Sequence, residues 1–107
     1  GDWVFGDIGN MLKQVNEMKA KMKETEKELE QLVLKAASGD NSVEVEVSGK
    51  MDLKTLKISP QLVAANDVKK LEKNVFEAVS RGLKMAKDTA AAKLNKVTGG
   101  MKLPGIS

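Results

Sequence analysis

Two long helices flanking a small antiparallel sheet, an α+β arrangement, is the fold class that three patterns predict for this 107-residue chain. Residues 11–32 place Met11, Val15, Met18, Met22, Thr25, Leu29 and Leu32 in four-three alternation between polar and charged neighbours. Residues 43–48 alternate Val-Glu-Val-Glu-Val-Ser, the period of a half-buried strand. Residues 68–97 return to helical spacing. The order is helix, up to three antiparallel strands, helix, in a single domain spanning 1–107 with irregular tails at 1–9 and 99–107.

The first helix opens at Gly6, Gly9 and Asn10, with Asn10 as its N-cap. Its period of 3.5 residues marks a narrow apolar seam that meets another helix. A stripe this thin cannot bury itself alone. The helix reads either as part of an elongated molecule with a partner or as an ordinary amphipathic helix lying on its own sheet, with methionine as gap filler. Periodicity alone does not choose between them. Charge along it is ordered against the helix dipole. Residues 10–23 hold four Lys and one Glu, and residues 24–32 hold one Lys and four Glu. Positive charge at an N-terminus and negative charge at a C-terminus each cost a few tenths of a kcal/mol. An oppositely running copy, matching Lys19 and Lys21 to Glu26 and Glu28, would account for that order; so would a polyanion bound at the basic half.

Leu32-Val33-Leu34 either closes this helix or begins a short strand, and Ser38-Gly39-Asp40-Asn41 is a turn. After the valine strand, Gly49-Lys50 turns the chain into a strand from Met51 to Ile58. Its alternation slips between Leu53 and Leu56, which predicts a bulge near Thr55. Ser59-Pro60 ends it. The second long helix is capped by Asn66 or Asp67 and stopped by Gly99-Gly100. Val68, Leu71 and Val75 form one seam; Phe76, Val79, Leu83, Ala86, Ala90 and Val97 form another, with Gly82 small enough for close approach. So few strands are marginal unless covered, and a dimer joining two such sheets would cover them.

Histidine, cysteine and tyrosine are absent. That removes imidazole bases, serine and cysteine triads and the usual zinc sites. Glu44 and Glu46 lie on the polar face of one strand, where nothing drives their pKa values apart. Gly6-Asp7-Ile8-Gly9 reads as helix-entry punctuation, and Gly99-Gly100 follows a helix, the wrong side for a phosphate cradle. The expectation is a protein that is not an enzyme, with no cofactor, metal or small-molecule substrate. No apolar run approaches a membrane span. The lack of cysteine points to a reducing, cytoplasmic compartment.

The remaining signal is basic charge. Net charge is only +3, but by segment 1–23, 24–49, 50–65 and 66–107 carry +1, −5, +2 and +5. Candidate phosphate contacts are Lys13, Lys19, Lys21 and Lys23 on the first helix, and Arg81, Lys84, Lys87, Lys93 and Lys96 on the second. With a single arginine, and no tyrosine to stack on bases, duplex backbone binding with weak sequence preference is the expected mode.

The residues Phe5-Gly6, Gly9-Asn10-Met11-Leu12-Lys13-Gln14, Val43 to Gly49, Leu56-Lys57-Ile58-Ser59-Pro60-Gln61-Leu62 and Thr98 to Gly105 occur in a distinctive order. In these the sequence resembles the YbaB/EbfC family of bacterial nucleoid-associated proteins, over nearly the whole chain. It departs from the family pattern at Ala78-Val79-Ser80-Arg81-Gly82 and at Leu103-Pro104-Gly105. The resemblance implies an α-β-β-β-α subunit with Val33–Ala37 as first strand, a tweezer-like homodimer, and double-stranded DNA as partner in the nucleoid. A reading from another class is a coiled-coil interaction module, an adaptor or holdase, that uses the Met-rich seam.

Overall fold

The computed structural model describes residues 2–98. Helix α1 (Asp2–Gln31) leads into strands β1 (Val33–Ala37), β2 (Val43–Ser48) and β3 (Leu53–Ile58). A short helix α2 (Pro60–Ala64) and a long helix α3 (Val68–Thr98) follow. The sheet is an antiparallel meander in the order β1-β2-β3. The α-β-β-β-α reading therefore holds, with one helical turn added between β3 and the last helix.

Each element follows from local chemistry. Along β2 the three valines bury completely while Glu44 stays exposed. The β3 bulge lies at Lys54: Glu46 pairs with Thr55 and Val47 with Leu53, leaving Lys54 unmatched. The extra residue keeps Leu53, Leu56 and Ile58 on one face, opposite Val47, Val45 and Val43. Ser59 does more than end the strand. Its Oγ accepts from Leu62 N–H at 3.2 Å and Pro60 follows at the first helical position, so the pair also starts α2. Asp67 caps α3, its Oδ1 accepting from Lys70 N–H at 3.2 Å.

Helix α3 lies across the sheet on a line of small residues. Asn74, Ala78, Gly82 and Ala86, spaced four apart, are its buried positions. A Cβ on Gly82 would sit 3.1 Å from Val45 Cγ2 and 3.2 Å from Val47 Cγ1, so the missing side chain sets the helix–sheet distance. The core is Val43, Val45, Val47, Leu62, Ala78 and Ala86, flanked by Leu34, Ile58, Leu71, Val75 and Val79. One chain thus covers its own central strand, contrary to the expectation that a second copy must do so. Phe76 leaves the predicted seam and is 75% exposed. At ~100° per residue it points well away from the 74-78-82-86 line.

Helix α1 differs most from its reading. It begins at Asp2, so Asn10 is an exposed mid-helix residue rather than an N-cap, and Gly9 lies inside the helix. Gly6 and Gly9 both lie inside the helix and cost only about 1 kcal/mol each, and Ile8, Met11, Leu12 and Val15 carry the apolar pattern past them. The irregular tail expected at 1–9 is thus replaced by helix from residue 2; the one expected at 99–107 lies outside the described residues. Only the C-terminal part of the seam is buried, at Thr25 and Leu29. There Gly49 N–H donates to Leu29 carbonyl oxygen at 2.8 Å, and a Cβ on Gly49 would meet Leu29 backbone at 2.8–3.0 Å. Lys50–Glu30 at 3.3 Å and Lys93–Glu28 at 3.6 Å add surface ion pairs. The molecule measures 77 × 26 × 15 Å, with a radius of gyration of 21.0 Å against about 13 Å for a compact domain of similar length.

Candidate nucleic-acid interface

The nine candidate cations separate into groups with different surroundings. Lys21, Lys93 and Lys96 converge from α1 and α3 on one groove, which Glu24, Thr25, Glu28 and Val97 also line. Lys19 and Lys23 lie one turn apart on another side of α1, beside Ala20, Met22 and Glu26. Lys13 is two turns further toward the N-terminus. Among the described residues, Lys13, Lys19, Lys21, Lys23, Lys87 and Lys96 make no ion pair within 4 Å. Their ammonium groups are open to an external anion.

The other three are engaged. Lys84 pairs with Asp88 at 3.0 Å, an exposed i,i+4 contact worth about 0.3–0.5 kcal/mol, too weak to withhold the lysine from a phosphate. Lys93 holds Glu28 across the two helices. Arg81 also makes contacts within the fold: its Nη1 donates to Ala37 carbonyl oxygen at 3.1 Å and its Nη2 lies 3.2 Å from Glu77 Oε1. Glu77 Oε1 in turn accepts from Gly39 N–H. This clasp fixes the β1–β2 turn to α3. Arg81→Ala is expected to lower stability by about 1–2 kcal/mol, read in urea denaturation, and to leave DNA affinity unchanged. A weakened DNA complex at unchanged stability would return Arg81 to the interface.

A second polar network at the same turn was not singled out from the sequence. Asp40 Oδ1 accepts from Ser38 Oγ at 2.9 Å, Ser42 N–H at 3.0 Å and Ser42 Oγ at 2.6 Å. The hydrogen bonds from Ser42, first its hydroxyl and then its backbone, with that from Ser38, hold the Asp40 carboxyl well below the usual carboxylate range. Buried Asn74 reaches over from α3 and donates to Asp40 Oδ2 at 3.3 Å and Ser42 Oγ at 3.1 Å. A polar residue on the small-residue line of α3 was the available signal. Asn41, at φ 61°, supplies the left-handed corner.

The outer face of the sheet carries opposite charges in register, Lys35 across from Glu46 and Glu44 across from Lys57. The glutamates therefore sit among cations on an open surface. Lys69, Lys70 and Lys73 make a further basic group on the first turns of α3, absent from the candidates. It lies at the opposite end of a helix that is about 46 Å long.

Fold and charge together define a small α+β protein with a basic helical arm. The family model described as the YbaB/EbfC DNA-binding family matches residues 5–101, and the chain belongs to that family. A nucleoid-associated protein of Clostridium kluyveri is 35% identical over 101 residues, covering 94% of this chain and 89% of its own length. One from Thermoanaerobacter pseudethanolicus is 34% identical over 100 residues, covering 94% and 90%. An uncharacterized protein from Helicobacter pylori has the same fold in its crystal structure, with a TM-score of 0.69 at 22% identity, over 82% of this chain and 89% of that one.

Proposed function

We propose that this protein binds double-stranded DNA as a homodimer, chiefly through the sugar–phosphate backbone, and acts without catalysis in nucleoid organisation and gene regulation. Family membership supports DNA as the partner. The observation that carries the mode is a set of lysines, Lys13, Lys19, Lys21, Lys23 and Lys96, that make no ion pair among the described residues, beside a groove open to solvent. Lysine meets phosphate as a point charge and discriminates bases poorly. The test is a salt titration on duplex DNA, single-stranded DNA and RNA. With about three phosphates neutralised per subunit, the duplex slope of log K against log salt should lie near −5, from about −0.9 per phosphate. A slope near zero, or equal preference for single strands, would refute the reading. The relatives' names place them in the nucleoid, and we assign this chain the same place.

The homodimer rests on apolar surface beside β3. Arg81 and Glu77 turn one flank of α3 toward β1, so the opposite flank, with Val79, Leu83 and Phe76, lies on the β3 side. Leu53 and Leu56 share the helix-facing side of the sheet yet remain 48% and 43% exposed, and Val63 and Val68 are exposed as well. An uncovered apolar row along an edge strand is a pairing surface. Replacing Leu56 and Phe76 with Glu together is expected to yield a folded monomer by sedimentation equilibrium, because neither side chain belongs to the core. A dimer that survives this change uses another face.

A further inference from the structure

The solvent side of α3 carries a line of cations away from the groove. Lys69, Lys73, Phe76, Ser80, Lys84 and Lys87 follow one another at steps of three or four residues, and all are exposed. At about 100° per residue, each is turned roughly 100–160° round the helix from the nearest of the buried residues Asn74, Ala78, Gly82 and Ala86. Lys69, Lys73 and Lys87 make no ion pair among the described residues, and Lys84 has only its exposed pair with Asp88. Glu72 and Asp88 flank the line, while Glu77 is turned in to Gly39. From Lys69 to Lys87 the helix rises about 27 Å. Along that length one strand of a duplex presents about eight phosphates.

The groove lies on the other side of α3. Lys93, which meets Glu28 of α1, is seven residues after Ala86 and so shares its sheet-facing side. Lys96 and Val97 line the groove with Lys21 one turn further on. Helix α1 is therefore packed on the same side of α3 as the sheet. The body of a helix, about 10–12 Å across with its side chains, separates the groove from the outer line. A straight duplex laid in the groove cannot bend round α3 to reach Lys73 or Lys84.

We propose that the outer line of α3 is a second phosphate-binding surface, which captures a second duplex while the groove and arm hold the first, so that the protein bridges DNA segments. Capture rests on the arm-and-groove reading given above. Three lysines without an ion pair and one engaged by Asp88 hold less than the groove and arm do. The line therefore gains a duplex only where many copies are arrayed on another, by effective concentration.

The test uses the full chain on beads bearing one duplex, with a second, fluorescent duplex in solution. Wild type is expected to retain the second duplex on the beads. Lys69→Glu, Lys73→Glu, Lys84→Glu and Lys87→Glu together should lower that capture at least tenfold, yet leave affinity for a single short duplex, read by anisotropy, within about twofold. Should the charge reversals lower helix content by circular dichroism, the four Lys→Gln changes replace them. Unchanged capture in the variant overturns the proposal and assigns bridging to the two arms of a dimer. Single-duplex affinity that falls in step with capture overturns it too, because the line then belongs to one site with the arm. Wild type that coats the beads yet captures nothing refutes bridging alone. Beads left bare of protein refute the arm-and-groove reading, and the second surface with it.

Discussion

Reversing Lys19, Lys21 and Lys23 to Glu together is expected to abolish binding to every duplex sequence about equally. Phosphate neutralisation supplies essentially all of the affinity in sequence-independent binding, and these three residues surround α1 where it leaves the body. The measurement is an electrophoretic or anisotropy titration, with circular dichroism to show that the fold persists. Glu26→Gln with Glu28→Gln is the matched control and should leave binding intact or strengthen it. Glu28 is the partner of Lys93, so its neutralisation also frees a cation at the groove. The stability lost is that of a surface pair, about 0.2–1 kcal/mol. Unchanged affinity in the triple reversal would move the site to the outer face of α3, at Lys84 and Lys87, with Arg81 left in its clasp.

Val45→Lys is expected to unfold the protein outright. Val45 is 1% exposed and lies against Gly82, inside an apolar core of valine, leucine and alanine side chains. An unpaired buried charge costs several kcal/mol, comparable to the whole stability of a domain of this size, about 5–15 kcal/mol. Thermal denaturation followed at 222 nm should show no cooperative transition. Since the valines are covered within one chain, this variant reports on the core and says nothing of the dimer. The pair Leu56 and Phe76 is needed for that.

Much of the fold was legible because the relevant signals are local. Alternation in 43–48 set the buried face of β2, and the slip between Leu53 and Leu56 located the bulge to within one residue. What periodicity could not supply was the partner of each face. Phe76 and Ala86 fall in the same helical seam by spacing, and only packing on the valine strand selected the line 74-78-82-86. Gly9 and Asn10 look like a helix start when read locally; the apolar stripe that continues through them won over that punctuation. Among the candidate cations, charge located the groups but could not separate Arg81, held by Ala37 and Glu77, from Lys87, which is held by nothing among the described residues. Hydrogen-bond partners more than forty residues distant, as Ala37 is from Arg81, leave no mark in sequence spacing.

The 77 × 26 × 15 Å outline has a practical consequence for anyone measuring this protein. A particle this slender carries more friction than a sphere of its 11.6 kDa mass, so it emerges early from a size-exclusion column calibrated with globular standards. A single subunit would read there as a pair, and a pair as something larger. Scattered-light intensity depends on molar mass and is insensitive to outline at this size, so it gives the subunit count directly. Comparing the two readings on one sample then turns the discrepancy into a measure of how far the arms extend.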